Sequence, residues 1–225
     1  MTLTIHTGLV QRSDEWYAAR CGIITAGTVG KLITSKTVAV ANNPDSRRMA
    51  LTLAAERITG WTEPGYISDD MWRGIEDEPH ARAAYTKHHA PVTEAGFITE
   101  DKWGYTIGYS PDGLVGDDGL IEIKSRRPKT HLETILNGRP PLENIAQLQC
   151  ALLVTGRDWI DYISFSAGMP LWVKRVEPDR KWFNTIVNAT DALEDSINDI
   201  IRTYTQAVAG LPMAERTATE IEISA

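Results

Sequence analysis

The sequence has few of the features that mark several large classes of protein. Its 225 residues include only two cysteines, Cys21 and Cys150, too few for a disulfide framework or a four-thiolate zinc site. We expect both to be buried, inert thiols. No apolar run approaches the roughly 18 residues of a membrane span, and the first residues lack the basic and apolar regions of a secretory signal. The sequence predicts a soluble, cytoplasmic protein that does not associate with membranes.

Positive charge is also scarce, because 23 Lys and Arg residues face 30 Asp and Glu residues, a net charge of −7. The phosphates of nucleic acids favour basic surfaces, so the sum alone argues mildly against a nucleic-acid partner. The distribution weakens that argument. Residues 177–225 hold nine acidic and four basic residues, whereas residues 121–139 hold five Lys or Arg and only two Glu.

The order of sequence patterns predicts a mixed α/β fold, with a mixed central sheet flanked by helices. Helices are expected first, followed by strands that alternate with helices. The predicted helices are 13–20 with Ser13 as N-cap, 47–59, 69–89 with an interruption near Pro79, 142–155 and about 178–209. The predicted strands are 92–98, 105–109, 119–125, 159–166 and 171–176. We expect one domain over residues 1–225: a mainly helical extension (1–90), a core (91–176), and a C-terminal helix and tail (177–225).

Three polar residues, one at a turn and two on the following strand, are candidate catalytic or metal-binding residues. Asp112 stands at the turn after one strand, and Glu122 and Lys124 lie two positions apart on the next. Side chains alternate along a strand, so Glu122 and Lys124 point the same way while Ile121 and Ile123 face the core. A hairpin through residues 113–119 would bring Asp112 beside Glu122. Two carboxylates and an ammonium group would then converge.

Such a set suits Mg²⁺, a hard cation that prefers oxygen ligands and retains several waters. A bound Mg²⁺ would polarise a phosphoryl oxygen and lower the pKa of its water. Lys124 could orient that water, help to deprotonate it, or offset negative charge in the transition state. The backbone carbonyl of Ile123 is a further candidate ligand. The simpler alternative is a surface Glu–Lys pair beside an unrelated Asp-Gly turn.

Two other features are compatible with this site. Glu78 lies in an acidic run that could merely complement a helix dipole, but it precedes Pro79 and could face the hairpin. Gln147 and Gln149 lie on a predicted helix and point in different directions, so either amide could bind substrate. Surface polarity is the alternative for both glutamines.

Five motif blocks in one order resemble the PD-(D/E)XK nucleases, and more narrowly the bacteriophage lambda exonuclease group of viral alkaline exonucleases. The likeness extends over about residues 11–176. The blocks are Trp16, Arg20, Gly22, Thr25 and Ala26; Gly74, Glu78, Ala81 and Arg82; Ser110, Pro111, Asp112 and Gly113; Glu122, Ile123 and Lys124; and Gln147, Leu148 and Gln149.

The resemblance implies a restriction-endonuclease-like core and a Mg²⁺-dependent, processive 5′→3′ exonuclease on double-stranded DNA. Such an enzyme releases 5′-mononucleotides and leaves 3′ overhangs for a single-strand annealing protein during homologous recombination. It also implies a toroidal homotrimer, a location in the bacterial host cytosol, and one or two Mg²⁺ per site for which Mn²⁺ could substitute. The alternatives are an endonuclease on the same core and a non-catalytic DNA-binding accessory protein.

The resemblance also assigns roles to individual residues. The implied metal ligands are Asp112, Glu122 and the Ile123 carbonyl, with Glu78 assisting. Lys124 is the implied catalytic lysine, and Gln149 matches the active-site glutamine of the family.

DNA-binding roles follow in the same way. Arg20, Thr25 and Ser110 would line a pocket for the 5′-phosphate, although Gly27 stands where a hydroxyl residue is expected. Met71 would be an apolar wedge between terminal base pairs. The basic run that contains Arg126, Arg127 and Lys129 is expected to be a loop that contacts backbone phosphates.

Two rival motifs fail on spacing. Gly30-Lys31 would need Gly at position 25 and Ser or Thr at position 32 to form a phosphate-binding P-loop, but Thr25 and Leu32 stand there. His80, His88 and His89 have no zinc-site spacing and no nearby thiolate.

Overall fold

The computed structural model describes residues 2–63 and 65–216, which contain seven α-helices and ten strands. The strands are β1 (Thr4–His6), β2 (Ile24–Thr25), β3 (Ile33–Thr34), β4 (Ala39–Val40), β5 (Phe97–Glu100), β6 (Ile107–Tyr109), β7 (Gly113–Val115), β8 (Gly119–Ser125), β9 (Trp159–Phe165) and β10 (Trp172–Val176). The α-helices are α1 (Asp14–Arg20), α2 (Ala26–Val29), α3 (Pro44–Thr59), α4 (Asp69–His88), α5 (Pro128–Asn137), α6 (Leu142–Thr155) and α7 (Arg180–Ala207). A 3₁₀ turn, Gly30–Leu32, follows α2.

Local capping explains where several helices begin and end. Ser13 accepts a hydrogen bond from the amide of Trp16 and caps α1, as predicted. Asn43 forms a capping box with Ser46, so α3 begins three residues earlier than the sequence predicts. The same helix ends where Gly60 adopts φ +63°, a conformation that glycine takes without steric cost.

Helix α4 corrects one prediction, because it continues through Pro79 without a break. A proline inside a helix removes one backbone hydrogen bond. On α4 the next turns bury Ala81 and Tyr85 against β8 and β9, and this packing holds the helix on the far side of the proline.

The strands form a mixed α/β fold with flanking helices, as the sequence predicts, and divide between two four-stranded sheets. The first sheet has the order β1-β5-β6-β2 and the second β10-β9-β8-β7, while β3 pairs with β4. Parallel pairing occurs between β2 and β6 and between β8 and β9. No sequence pattern indicates β1 or β2, and residues 1–90 contribute strands as well as the predicted helices.

The strand predicted over 92–98 is also wrong at its beginning. Regular pairing starts only at Phe97, and before it Thr93 makes a single antiparallel bridge to Leu114. This bridge lies against the other sheet, so the segment crosses between the two sheets.

Two buried clusters pack on opposite sides of β8. The larger one surrounds α6, from which nine residues are buried, and extends to α3 and α7. The smaller one joins α4 to Ile121, Ile123 and Ile163. The two isoleucines of β8 therefore face the α4 side, and Glu122 between them is buried on the α6 side. Cys150 is buried, which raises its pKa to about 12, whereas Cys21 is only half-buried.

In addition to this apolar packing, an ion pair joins the C-terminal helix α7 to α3. Both guanidinium Nη atoms of Arg57 bind the carboxylate of Glu194, at 2.7 and 2.6 Å, and its Nε donates to the carbonyl of Gly22. Glu194 is buried, so this pair joins three parts of the chain. The predicted C-terminal tail lies partly outside the described residues. None of the described helices combines the length and the hydropathy that a membrane crossing requires.

We expect Arg57→Met to destabilise the protein by about 2–4 kcal/mol, because it leaves the buried Glu194 carboxylate unpaired. Arg202→Met, which removes an exposed pair with Asp199 on the same helix, should cost less than about 0.5 kcal/mol. Urea unfolding measures both values. Equal losses in the two variants would contradict the proposed importance of the Arg57 pair.

Candidate active site

The β7–β8 hairpin brings Asp112 beside β8. Gly113 pairs with Ile121, and Asp112, one residue earlier, accepts a hydrogen bond on Oδ2 from the amide of Ile123 at 2.6 Å. A Cβ on Gly113 would lie 2.2 Å from Val92, so only glycine fits at this turn. The hairpin therefore places the Asp112 carboxylate next to Glu122.

Glu122 is the centre of a buried polar network. Its Oε1 accepts hydrogen bonds from Lys124 Nζ at 2.7 Å and from Gln147 Nε2 at 2.6 Å, and its Oε2 accepts one from the hydroxyl of Tyr109 at 3.1 Å. Gln147 also accepts a bond from Lys124 Nζ at 3.0 Å. The glutamine on α6 thus orients both charged side chains of β8.

Burial and the neighbouring acidic side chains shift the pKa values of Asp112 and Lys124. Burial, followed by the charges of Glu122 and Glu78, raises the pKa of Asp112 well above its usual range. Burial opposes the charge on Lys124, but Glu122 and Asp112 outweigh it and raise the lysine pKa. Lys124 is therefore an ammonium group that offers N–H donors. Of its predicted roles, this state favours orientation and charge neutralisation over proton abstraction.

The structure corrects the prediction for Gln149. This side chain is buried away from Glu122, where it donates to the carbonyl of Glu177 and accepts from the amide of Asp179, both at 2.8 Å. It fixes the start of α7 and does not reach the carboxylates. On a helix, residues two apart point about 200° apart, so only one of the two glutamines can face β8, and that one is Gln147.

Glu78 lies close enough to Asp112 to raise its pKa, yet its oxygens bind arginines. Oε2 accepts a bond from Arg12 at 2.6 Å, and Oε1 accepts one from Arg82. Arg82 also donates to the backbone carbonyl of Asp112 at 2.8 Å. The motif order indicated Glu78, whereas nothing in the sequence indicated Arg12.

Arg20 and Ser110 form a second polar site on the other side of the same turn. Arg20 lies over the ring of Trp16, 4.1 Å from its centroid, and donates to Ser110 Oγ at 2.7 Å. Trp16 Nε1 also donates to Ser110 Oγ, at 3.1 Å. With two bonds accepted, Ser110 keeps its own proton to donate outward. Burial lowers the pKa of Arg20 to about 10, so this guanidinium is poorly hydrated and well suited to an anion.

A pocket of about 340 Å³ opens beside Arg20, and Thr25 is one of its lining residues. Lys31 and Arg48 also line it, although no sequence motif indicated either of them. Lys31 belongs to the Gly-Lys pair that fails the P-loop pattern. One residue after Gly27, Thr28 places a hydroxyl group beside Thr25, with Oγ1 atoms 3.3 Å apart.

The two sites share one short segment of chain. Ser110 accepts a hydrogen bond from Arg20, which lines the pocket, and Asp112, two residues later, lies beside β8. Two residues of extended chain span about 7 Å, which is comparable with the spacing of successive phosphates along one DNA strand. Through Ser110, the Arg20 site and the Asp112 carboxylate therefore lie on one short segment of chain.

Met71 lies on the first turn of α4 with its side chain 53% exposed, beside Trp72 at 54%. Exposed apolar side chains of this size are available for contact with another molecule. The same helix carries Glu78 two turns later, so Met71 and Glu78 belong to one element.

The basic run is not the loop that the sequence predicts. Arg127 is the N-cap of α5, and it binds Asp70. Lys129 is 87% exposed in the first turn. Arg126 corrects the prediction further, because its guanidinium is half-buried and donates to Asn144 and Tyr162 on the α6 side. Of the three residues, Lys129 and Arg127 remain available at the surface.

Oxygen ligands suit this site, although the side chains are arranged around other partners. Within residues 2–63 and 65–216, no three His, Cys, Asp or Glu side chains already stand in a metal-binding group. Glu78 faces guanidinium groups and Glu122 faces Lys124. Among the described hydrogen bonds, Asp112 Oδ1 takes part in none, and burial, followed by repulsion from Glu122 and Glu78, raises the pKa of Asp112. A hard divalent cation would relieve that repulsion, so the residues present fit Mg²⁺.

Comparison with known proteins assigns the chain to a family. A YqaJ-like viral recombinase domain matches residues 15–158, which include the hairpin carboxylates, Lys124, Gln147 and the Arg20 pocket. The chain belongs to the YqaJ-like viral recombinase family. This confirms the resemblance to the lambda exonuclease group.

Solved structures agree with this YqaJ-like assignment. An alkaline exonuclease (LHK-Exo) from Laribacter hongkongensis is 35% identical, with a TM-score of 0.78 over 89% of this chain and 100% of that chain. Its complex with dAMP gives the same identity and coverage and a TM-score of 0.79. A phage-related exonuclease from Haemophilus somnus 129PT, 12% identical, shares the fold with a TM-score of 0.62 over 81% of this chain and 96% of that chain. No curated protein matches the sequence.

The two glutamines of this YqaJ-like domain should differ in their effect on stability. Gln149→Leu should lower the free energy of unfolding by roughly 1–3 kcal/mol, because the buried Gln149 side chain loses two part-buried hydrogen bonds, to the Glu177 carbonyl and from the Asp179 amide. Gln147→Leu should cost less than about 1 kcal/mol, since Glu122 keeps Lys124 and Tyr109 as donors. Thermal or urea unfolding tests this difference, and the reverse order would contradict it.

Proposed function

We propose that this protein is a Mg²⁺-dependent 5′→3′ exonuclease on double-stranded DNA. One observation carries the proposal: Asp112, Glu122 and the Lys124 ammonium converge on the hairpin, and Ser110, two residues before Asp112, binds the half-buried Arg20, which suits a terminal phosphate. The family and the similarity to an alkaline exonuclease support exonuclease activity.

Asp112, Glu122 and the carbonyl of Ile123 would hold one Mg²⁺, and Glu78 would assist with it or with a second. Mn²⁺, which also accepts oxygen ligands, would substitute. The bound ion would polarise a phosphoryl oxygen and make a water nucleophilic near neutral pH.

The protein's own side chains would orient the reacting phosphate and neutralise part of its negative charge. Lys124 donates to Glu122 and Gln147 and keeps its third N–H donor, so it can bind a phosphate oxygen and offset negative charge on it. Gln147 keeps Lys124 from rotating away, and Tyr109 holds the second oxygen of Glu122. We therefore assign to Gln147 the position expected of Gln149.

The 5′→3′ direction of digestion would follow from the pocket beside Arg20. Arg20, Thr25 and the outward hydroxyl of Ser110 would bind the 5′-phosphate. The next phosphodiester would then lie beside Asp112, so that each cut releases one 5′-mononucleotide. Met71, which lies on the same helix as Glu78, would wedge between the terminal base pairs. Arg127 and Lys129 would contact backbone phosphates.

Three further parts of the proposal rest on the resemblance. They are processive action within a toroidal homotrimer, a single-strand annealing protein that receives the 3′ overhang, and a single nuclease domain over residues 1–225 that acts in the cytosol of a bacterial host. The family description, a viral recombinase, supports a role in recombination. A solution mass measurement tests the trimer.

Linear duplex DNA incubated with Mg²⁺ should be degraded to mononucleotides, while covalently closed circles should survive. Lys124→Met should lower the rate by about 10²–10³-fold, because a charge that neutralises the reacting phosphate is lost. Lys181→Met, on the exposed start of α7, is the matched control. Cutting of closed circles would instead indicate an endonuclease, and metal-independent binding without nucleotide release would indicate an accessory DNA-binding protein.

A 5′-phosphorylated end should be degraded about 10–100-fold faster than a 5′-hydroxyl end, as expected for the loss of a charge-assisted contact. Arg20→Ala should remove this preference, and Arg202→Ala should retain it. The rates of single-turnover digestion of matched duplexes provide the measurement. If the wild-type protein shows no preference, Arg20 does not bind the terminal phosphate.

A further inference from the structure

Arg12 has a backbone conformation that L-residues rarely adopt. Its φ is +72°, in the left-handed region that favours glycine. Both neighbours are anchored: Gln11 donates to the carbonyl of Pro111 at 2.8 Å, and Ser13 caps α1. A strained residue between two fixed points persists only where the surrounding structure compensates for it.

This backbone conformation places the Arg12 guanidinium at the edge of the candidate metal site. Its Nη2 lies 2.6 Å from Oε2 of Glu78, and Arg82 binds the other oxygen. Both oxygens of Glu78 are therefore occupied by cationic groups, although Glu78 is close enough to raise the pKa of Asp112. As long as both contacts persist, Glu78 has no oxygen free for another cation.

The two arginines differ in how firmly they are held. Arg82 is 15% exposed, lies one turn from Glu78 on α4, and also binds the Asp112 carbonyl. Arg12 is 40% exposed, and Glu78 is its one side-chain partner among the described residues. Arg12 can therefore leave Glu78 without breaking another contact, whereas Arg82 cannot.

We propose that Arg12 is a positioning residue that occupies Glu78 in place of a divalent cation and so sets the metal affinity of the site. The ion and Arg12 compete for the same carboxylate oxygen. When the ion binds, Arg12 turns towards solvent and Glu78 turns towards Asp112. This inference rests on the proposed function, because it takes Glu78 as a metal ligand.

Titration with Mn²⁺ in the absence of DNA, followed by electron paramagnetic resonance of the free ion, tests the competition without any measurement of activity. Arg12→Gln should bind Mn²⁺ about two- to fivefold more tightly than the wild type, the range expected when a partly exposed ion pair no longer competes. Arg12→Lys retains the charge and should remain near the wild type. Arg202→Gln, which loses an arginine from a pair on α7, should not change the affinity.

A double-mutant cycle separates competition for Glu78 from a general change of charge. In a Glu78→Gln background, Arg12→Gln should no longer tighten Mn²⁺ binding. The variant Arg12→Gly loses the guanidinium and relieves the left-handed backbone, so it should tighten binding with no loss of thermal stability. Equal Mn²⁺ affinity in the wild type, Arg12→Gln and Arg12→Gly would overturn the inference, as would an undiminished effect in the Glu78→Gln background.

The same titration distinguishes failure of the inference from failure of the proposed function. If the wild type binds Mn²⁺ and Asp112→Asn abolishes binding, the metal site stands, and only the Arg12 comparison judges the inference. If the wild type binds no Mn²⁺, or if Asp112→Asn has no effect on binding, both the proposed metal site and the inference fail.

Discussion

Repulsion between neighbouring carboxylates is the constraint on which the rest of this site depends. Asp112, Glu122 and Glu78 lie close together in a partly buried region, where their mutual repulsion is stronger than in water. The fold compensates with the Ile123 amide, the Lys124 ammonium, the Gln147 amide and the guanidinium groups of Arg12 and Arg82. Such an arrangement is costly to fold and is typical of a site that accepts a cation.

Two elements make that arrangement rigid. Strand β8 lies between two buried clusters, so Ile121 and Ile123 anchor it on one face while Glu122 and Lys124 act on the other. Helix α4 carries Glu78 and packs Ala81 and Tyr85 against the same strand, so it fixes the distance between the third carboxylate and the hairpin. Its exposed first turn then presents Met71 at a defined place relative to the chemistry.

Most of the secondary structure could be predicted from the sequence, because its patterns are local. Helix α6 matches its predicted range of 142–155, and β8 matches 119–125. The failures have local causes as well. Strands β1 and β2 have three and two residues, too short for a periodic pattern, and they exist only because β5 and β6 provide their hydrogen bonds. Helix α5 begins within a run of basic residues that the composition alone could not distinguish from a loop.

By itself, the sequence determined the hairpin that joins Asp112 to Glu122 and Lys124, because strand alternation and turn geometry act over a few residues. It also determined the family, through the order of its motif blocks. Only the tertiary structure decided which glutamine faces Glu122, that Arg126 turns inward, and that Arg12, Lys31, Arg48 and Thr28 join the two sites. These contacts link residues that are far apart in the chain. Whether such residues meet depends on how helices and sheets pack, and a local sequence pattern carries no information about that packing.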